Sequence, residues 1–175
     1  PKSINSRNPV SYSIWFMPGG IVKVQLSTII NKLCDDFGGP KFEPHVTLAG
    51  SILGIEQVLL QEAEILSKKI HPFEIIFDSV SFLDKFFQSF FLNIEDSREL
   101  TISRNIACKE LDCDNNRYMP HLSLAYGDYK IKDKEKMIAS VDMQIKGFSV
   151  NYVYLAFNDE NTLNWKVIKG FPLIY

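Results

Sequence analysis

Two six-residue segments hold the side chains best suited to chemistry, Pro44-His45-Val46-Thr47-Leu48-Ala49 and Pro120-His121-Leu122-Ser123-Leu124-Ala125. The sequence has three histidines, and two of them occupy the same place in this repeat. Each segment alternates polar and apolar residues, the signature of a half-buried strand. Side chains two apart on a strand share a face, so His45 projects with Thr47 and His121 with Ser123. Val46, Leu48, Leu122 and Leu124 anchor the opposite face. If the two strands meet, two imidazoles and two hydroxyls line one cleft.

That set suits acid–base cleavage of a phosphodiester. An imidazole with its ordinary pKa near 6.5 is found both protonated and neutral close to pH 7. Two of them can hold one proton between them, one drawing a proton from water while the other protonates the departing alkoxide. The Thr47 and Ser123 hydroxyls are donors for the phosphoryl oxygens, where negative charge develops. Either imidazole can play either part, no metal or other cofactor is required, and the rate profile is expected to be bell-shaped with limbs near neutrality.

Other uses of these residues fit less well. A zinc site needs three or four convergent ligands, and the chain has no Cys-x-x-Cys; the third histidine, His71, precedes Pro72 at the end of a predicted helix and reads as a surface or cap residue. No Gly-x-Ser-x-Gly elbow marks a serine nucleophile. A lone histidine on a strand is most often structural. Recurrence of a six-residue pattern in so histidine-poor a chain makes the pair the functional reading.

The surrounding elements must bring the two motifs together. Tyr12–Met17 reads as a strand stopped by Pro18-Gly19-Gly20, and Ile21–Phe37 as an amphipathic helix ended by Gly38-Gly39-Pro40. The first motif strand spans His45–Gly50 and a second helix Ile55–Ile70. Phe73–Leu83 and Phe87–Ile94 form a predicted hairpin around Asp84-Lys85-Phe86. A third helix is expected over Ser97–Leu111, then a polar loop Asp112–Asn116 and the second motif strand His121–Tyr126. A charged helix Ile131–Ser140 and strands Phe148–Phe157 and Trp165–Ile168 complete the chain. Each half thus contains strand, helix and one motif, with no linker between them. The expectation is an α+β fold, one domain over residues 1–175, built as two related lobes with helices outside a mostly antiparallel core.

Composition narrows the function. With 175 residues, 46% hydrophobic and 23% charged, the chain resembles an ordinary soluble domain with one substantial core. A net charge of −2 provides no strong basic field for long nucleic acid and favours a small, locally bound ligand. No apolar run is long enough to span a bilayer, and residues 1–9 lack a signal-peptide core, so no membrane association is expected, and a cytoplasmic or nuclear location is. The odd set Cys34, Cys108 and Cys113 reads as reduced thiols, although Cys108 and Cys113 are near enough to pair if a loop joins them.

The paired His45-Val46-Thr47 and His121-Leu122-Ser123 resemble the two H-x-[T/S] motifs of the two-histidine (2H) phosphoesterases. Their flanks, Ser13-Ile14-Trp15 through Met17-Pro18, Gly39-Pro40-Lys41-Phe42-Glu43-Pro44 and Tyr118-Met119-Pro120 with Tyr126-Gly127-Asp128, resemble the plant and yeast cyclic phosphodiesterase branch. The resemblance implies a bilobal, pseudo-two-fold fold with two antiparallel sheets around a central cleft. It implies catalysis by His45 and His121, phosphate binding by Thr47 and Ser123, and a substrate contact at Tyr126. It also implies metal-independent opening of 2′,3′-cyclic nucleotides to 2′-phosphates, and of ADP-ribose 1″,2″-cyclic phosphate, a tRNA-splicing by-product, to the 1″-phosphate. One departure is Ala125, where relatives often carry Leu.

Trp15 and Phe86 are the expected aromatic wall for a base, since stacking is worth roughly 1–3 kcal/mol per base. Lys41 and Arg117 lie close enough to the motifs to draw in a phosphate. The expected partner is a small cyclic-phosphate nucleotide bound by a monomer. Two other readings stand beside it: an RNA-processing enzyme acting on 2′,5′ linkages or RNA 3′ ends, and a nucleotide- or RNA-binding module without turnover.

Overall fold

Aromatic and β-branched residues before Pro18-Gly19 form β1 (Ser11–Phe16), and the three- and four-residue spacing that follows forms α1 (Gly20–Phe37). The computed structural model describes residues 10–115 and 117–174. The remaining elements are β2 (Val46–Ile52), α2 (Glu56–Ser67), β3 (Phe73–Ser81), β4 (Phe90–Ile94), α3 (Arg98–Leu111), β5 (His121–Ala125), α4 (Ile131–Ser140), β6 (Gly147–Val150), β7 (Tyr152–Asn158) and β8 (Lys166–Pro172). None of the described helices is long and apolar enough to cross a membrane.

The strands pair antiparallel in the order β6-β3-β4-β5-β2-β1-β7-β8. Motif strands β2 and β5 are the central neighbours. Outward from that centre, one half runs β2, β1, β7, β8 and the other β5, β4, β3, β6, each with a 3₁₀ turn joining its β7–β8 or β3–β4 pair. This is the expected two-lobed α+β arrangement, although the lobes meet edge to edge in one curled sheet. Their register at that seam places Val46 opposite Leu122.

Helices reinforce that narrow seam from behind. α1 leaves the first lobe and packs on β5 of the second, while α3 packs on β2. α1 buries Leu26, Ile30 and Leu33, and α3 buries Leu100, Ser103, Ala107 and Cys108. Ser97 caps α3 by accepting the Leu100 amide at 3.0 Å. Each motif strand therefore has its apolar face sealed by a helix belonging to the other lobe. Val46, Leu48, Leu122 and Leu124 are all fully buried there. Burying each of these side chains is worth about 1.5–3 kcal/mol, so the seam is held mainly by packing.

Several sequence expectations are corrected. The Phe148–Phe157 run is two strands, broken at Asn151, because its ends have different partners. β6 pairs with β3 in the second lobe (Val150 opposite Phe73), and β7 pairs with β1 in the first (Ala156 opposite Ser13). α2 stops at Ser67, where Lys68 and Lys69 turn back to the Ile65 and Leu66 carbonyls. The fourth strand begins at Phe90 because Phe86–Gln88 forms a 3₁₀ turn, closed by the Leu83 amide donating to the Gln88 carbonyl at 3.0 Å.

Cys108 and Cys113 are joined as a disulfide, where reduced thiols were expected. α3 ends at Leu111, and Asp112 adopts a left-handed φ of 51°. The chain folds back so that the Cys113 amide donates to the Cys108 carbonyl at 3.1 Å, which brings the two side chains together. Of the expected polar loop, Asn116 lies outside the described residues.

Candidate active site

All four motif side chains line one cleft of about 1150 Å³ at the centre of the sheet. Trp15, Phe86 and Tyr126 line the same cleft. Lys41 and Arg117 do not: Lys41 pairs with Asp35 at 3.0 Å, and Arg117 borders a smaller cavity beside α3. His71 is exposed, away from the cleft.

The two imidazoles are held by the same device. His45 Nδ1 lies 2.7 Å from the Glu43 carbonyl, and His121 Nδ1 lies 2.9 Å from the Met119 carbonyl. A carbonyl only accepts, so each Nδ1 carries a hydrogen and donates it. The neutral tautomer is thereby fixed, and each Nε2 is left with a lone pair for the cleft. The Pro residue before each histidine, Pro44 and Pro120, directs its predecessor into extended backbone, which sets up this i to i−2 contact.

His45 is 7% exposed and stacks on Trp15, with centroids 3.7 Å apart and planes 17° apart. Burial lowers its pKa to about 4; the Glu43 carbonyl opposes that shift and the neighbouring His121 adds to it. His121 is half-buried, with its ring centroid 5.2 Å from that of Phe91 in a T-shaped contact, and burial lowers its pKa too, against the pull of the Met119 carbonyl. Mutual repulsion means that a proton on one imidazole disfavours a proton on the other. Of the two, His121 is the better seat for a single shared proton, because His45 loses more hydration.

The hydroxyls differ in their resting contacts. Ser123 Oγ donates to the Phe87 carbonyl at 3.2 Å and also meets the Tyr126 phenol. Donation to a ligand therefore requires the Ser123 hydroxyl to rotate. Thr47 is half-buried on β2, and its backbone carbonyl accepts the Tyr118 hydroxyl at 2.9 Å. Arg104 braces the same strand. Its Nη1 donates to the Leu48 carbonyl at 2.6 Å, its Nη2 to the Asp114 carbonyl at 2.6 Å, and its guanidinium carbon lies 4.6 Å from the Tyr118 ring centroid. Residues from α3 and from the β5 approach thus fix the backbone that carries Thr47.

This latch makes a prediction. Tyr118→Phe leaves the half-buried Thr47 carbonyl without its partner, costing about 1–3 kcal/mol of stability. A lowered denaturation midpoint, read by urea titration, is the expected result. An unchanged midpoint would show that the hydroxyl contributes nothing to the latch.

Aromatic rings form most of the cleft wall. Trp165 is half-buried and stacks on Phe87 (5.6 Å, 24°), with its edge towards Tyr126 (5.8 Å) and His45 (6.3 Å). Its indole Nε1 donates to the Asp159 carbonyl at 2.9 Å. Tyr126 is buried against Phe42 (3.9 Å, 23°), and burial pushes its phenol pKa up. Trp15 is 3% exposed and one face is covered by His45, so that face supports the imidazole. Phe86 and Phe87 are the open rings, 40% and 45% exposed.

Trp165, Phe87, Ser13, Asn158 and Lys85 are cleft residues that motif reading missed. Trp165 and Phe87 sit at corresponding 3₁₀ turns of the two lobes, a relation visible only once the strand order is known. No cluster of three His, Cys, Asp or Glu side chains able to hold a metal occurs among the described residues.

The sequence model of the family described as "Cyclic phosphodiesterase-like protein" matches residues 10–174. The chain belongs to this family. Family membership places it among the two-histidine phosphoesterases, as the paired motifs imply. It is similar to a cyclic phosphodiesterase from Arabidopsis thaliana, 25% identical over 166 residues, covering 90% of this chain and 92% of that one. It is also similar to a 2′,3′-cyclic-nucleotide 3′-phosphodiesterase from Yarrowia lipolytica, 24% identical over 196 residues and covering 88% of each. Among solved structures, E. coli LigT complexed with 3′-AMP shares the fold with a TM-score of 0.60 at 12% identity, covering 96% of this chain and 100% of that one. A protein from Thermus thermophilus has a TM-score of 0.63 at 15% identity, covering 93% and 97%. The family's phosphodiesterase chemistry and the cleft with two imidazoles thus coincide in one chain.

Proposed function

We propose that this protein hydrolyses 2′,3′-cyclic nucleotides to nucleoside 2′-phosphates without a metal, using His45 and His121 as an acid–base pair. The observation that carries this reading is the matched orientation of the imidazoles: both Nδ1–H groups are engaged by carbonyls, and both Nε2 atoms remain for the cleft. A pair in that state holds one proton. Water attacks phosphorus opposite the leaving 3′-oxygen, one Nε2 accepts the water proton, and the other imidazolium gives its proton to that oxygen. The P–O3′ bond breaks, the new P–O bond forms, and the 2′-ester remains.

Thr47 and Ser123 act as donors to the non-bridging oxygens, Ser123 by turning away from the Phe87 carbonyl. Cleavage at the 3′-oxygen agrees with the name of the Yarrowia lipolytica relative. One domain contains the whole apparatus, since each lobe contributes one histidine and one hydroxyl.

The test is turnover of adenosine 2′,3′-cyclic phosphate in excess EDTA, with products resolved by chromatography. Undiminished formation of adenosine 2′-phosphate is the expected result. Loss of activity on chelation, or the 3′-phosphate as product, overturns it.

A further inference from the structure

We infer that Lys134, on α4 and outside the cleft, is the positioning residue for the ring wall that receives the base of the substrate. The inference rests on the catalytic reading above, with the base stacked on Phe86 and Phe87, the open rings of the cleft.

Lysine is almost never fully buried unless a partner compensates it. Lys134 is 3% exposed, yet among the described residues no carboxylate pairs with it. Its Nζ donates to the Leu83 carbonyl at 2.8 Å and lies 5.7 Å from the centroid of the Phe82 ring. A position needed only to pack α4 would be apolar, as Met137 is one turn later, where it is fully buried. The buried amine therefore serves its acceptor.

That acceptor sits at the root of the β3–β4 turn. Leu83 uses both of its backbone groups there: the amide donates to the Gln88 carbonyl at 3.0 Å and closes the turn, while the carbonyl takes the lysine. Lys85, Phe86, Phe87 and Gln88 hang from this closure, and all four line the cleft. Two further ties hold the turn beside the second motif strand. The Gly127 amide donates to the Phe86 carbonyl at 3.1 Å, and Ser123 Oγ to the Phe87 carbonyl at 3.2 Å.

Of these three ties, the reaction gives up the one from Ser123, because that hydroxyl turns to the phosphate. The rings must hold the base at the same moment. The turn is then kept in place by the Gly127 amide near its tip and by Lys134 at its root. Lysine suits the root, since a bond from an ammonium donor is about twice as strong as a neutral one, and burial shields it from competing water. Stacking on the base is made alike before and in the transition state, so Lys134 acts on KM rather than on kcat. A substrate without a base gains nothing from the rings and is indifferent to Lys134.

The experiment measures kcat and KM in the wild type, Lys134→Met and Lys134→Gln. The substrates are adenosine 2′,3′-cyclic phosphate and methyl riboside 2,3-cyclic phosphate, which has no base. Methionine fills the pocket without donating, and the amide nitrogen of glutamine stands one bond nearer the backbone than Nζ does. Stacking one base is worth roughly five- to a hundredfold in affinity, of which a loosened turn forfeits part. We expect KM for the nucleotide to rise about fivefold, with its kcat and both constants of the base-free substrate within twofold of wild type. Partial unfolding lowers both rates alike, so the ratio of the two kcat/KM values reports the turn even in a destabilised variant. Once Phe86→Ala and Phe87→Ala have removed the rings, Lys134→Met should change that ratio no further. In parallel, calorimetry compares binding of adenosine 2′-phosphate and methyl riboside 2-phosphate. An unchanged ratio, whether both substrates lose activity or neither does, overturns the inference and leaves the catalytic reading intact, as does an undiminished effect of Lys134→Met without the rings. Fivefold weaker binding of the nucleotide alone, with no turnover of either cyclic compound by the wild type, supports the inference and overturns the catalytic reading.

Discussion

Replacing His121 with alanine is expected to lower kcat/KM for adenosine 2′,3′-cyclic phosphate by about 10²–10⁴-fold, the usual share of a positioned acid–base group. His121 is the cleaner of the two positions because it is half-buried, bonded to the Met119 carbonyl and in a T-shaped contact with Phe91, whereas His45 is buried and stacked on Trp15. The fold should survive, which circular dichroism and the urea midpoint check. His45→Ala is expected to cost as much activity and also some stability, because it opens a cavity against Trp15. The double variant is the sharper test. If one proton is shared by the pair, removing the second histidine adds little to the loss from the first. Multiplicative losses would show two independent contributions and sink the shared-proton scheme. Retained activity in either single variant would remove that histidine from the chemistry altogether.

The pH dependence of kcat/KM is expected to peak on the acid side of 6.5. This profile reports the free enzyme, whose active form carries one proton on the pair. Below about 4 both imidazoles are charged, because that is where burial has put His45. Above the lowered pKa of His121 neither is charged. Each flank falls tenfold per pH unit, so the rate at pH 8.5 is expected to be lower than at the optimum by two orders of magnitude or more. The neutral limbs expected from ordinary imidazoles thus move to lower pH, and desolvation is the cause. The kcat profile should lie further towards alkali, since a bound phosphodiester anion favours imidazolium. A kcat/KM maximum above pH 7 would contradict this arrangement.

The same burial has a sign for stability. A base whose folded pKa lies below its unfolded value binds fewer protons when folded. Stability attributable to His45 is therefore full above 6.5 and is lost as the pH falls from there to about 4. At 1.36 kcal/mol per unit the loss is about 3 kcal/mol. The acid flank of activity is thus approached as the fold itself weakens.

Much of this site was legible in the sequence because its logic is local. Strand alternation predicts that His45 and Thr47 share a face, and so do His121 and Ser123, and the structure puts all four on one cleft. The helices behind them follow from three- and four-residue spacing. What escaped prediction depends on partners far away in the chain. The Phe148–Phe157 run keeps its polar–apolar alternation through Ser149, Val150, Asn151 and Tyr152, so the pattern does not show that its two ends have different sheet partners. Trp165 and Phe87 meet only after two turns more than seventy residues apart are brought over the cleft. Lys41 is near His45 in sequence, yet its ion pair with Asp35 keeps it beside the end of α1. Tyr118 stands in the motif flank, but its bond to the Thr47 carbonyl spans 71 residues.

The break at Asn151 governs the order in which the polypeptide can fold as it is made. The first lobe opens with β1 and β2 but needs β7 and β8 to complete its sheet, and Ser13 bonds to Asn158 across 145 residues. The second lobe, β3 to β6, is contiguous from Phe73 to Val150. During synthesis the second lobe therefore completes first, while the earlier-made β1 has an unpaired edge until the C-terminal hairpin emerges. Pairing over so long a loop is slow. Chains truncated before β8 should yield a protected second lobe and an aggregation-prone first one, although the first was translated earlier.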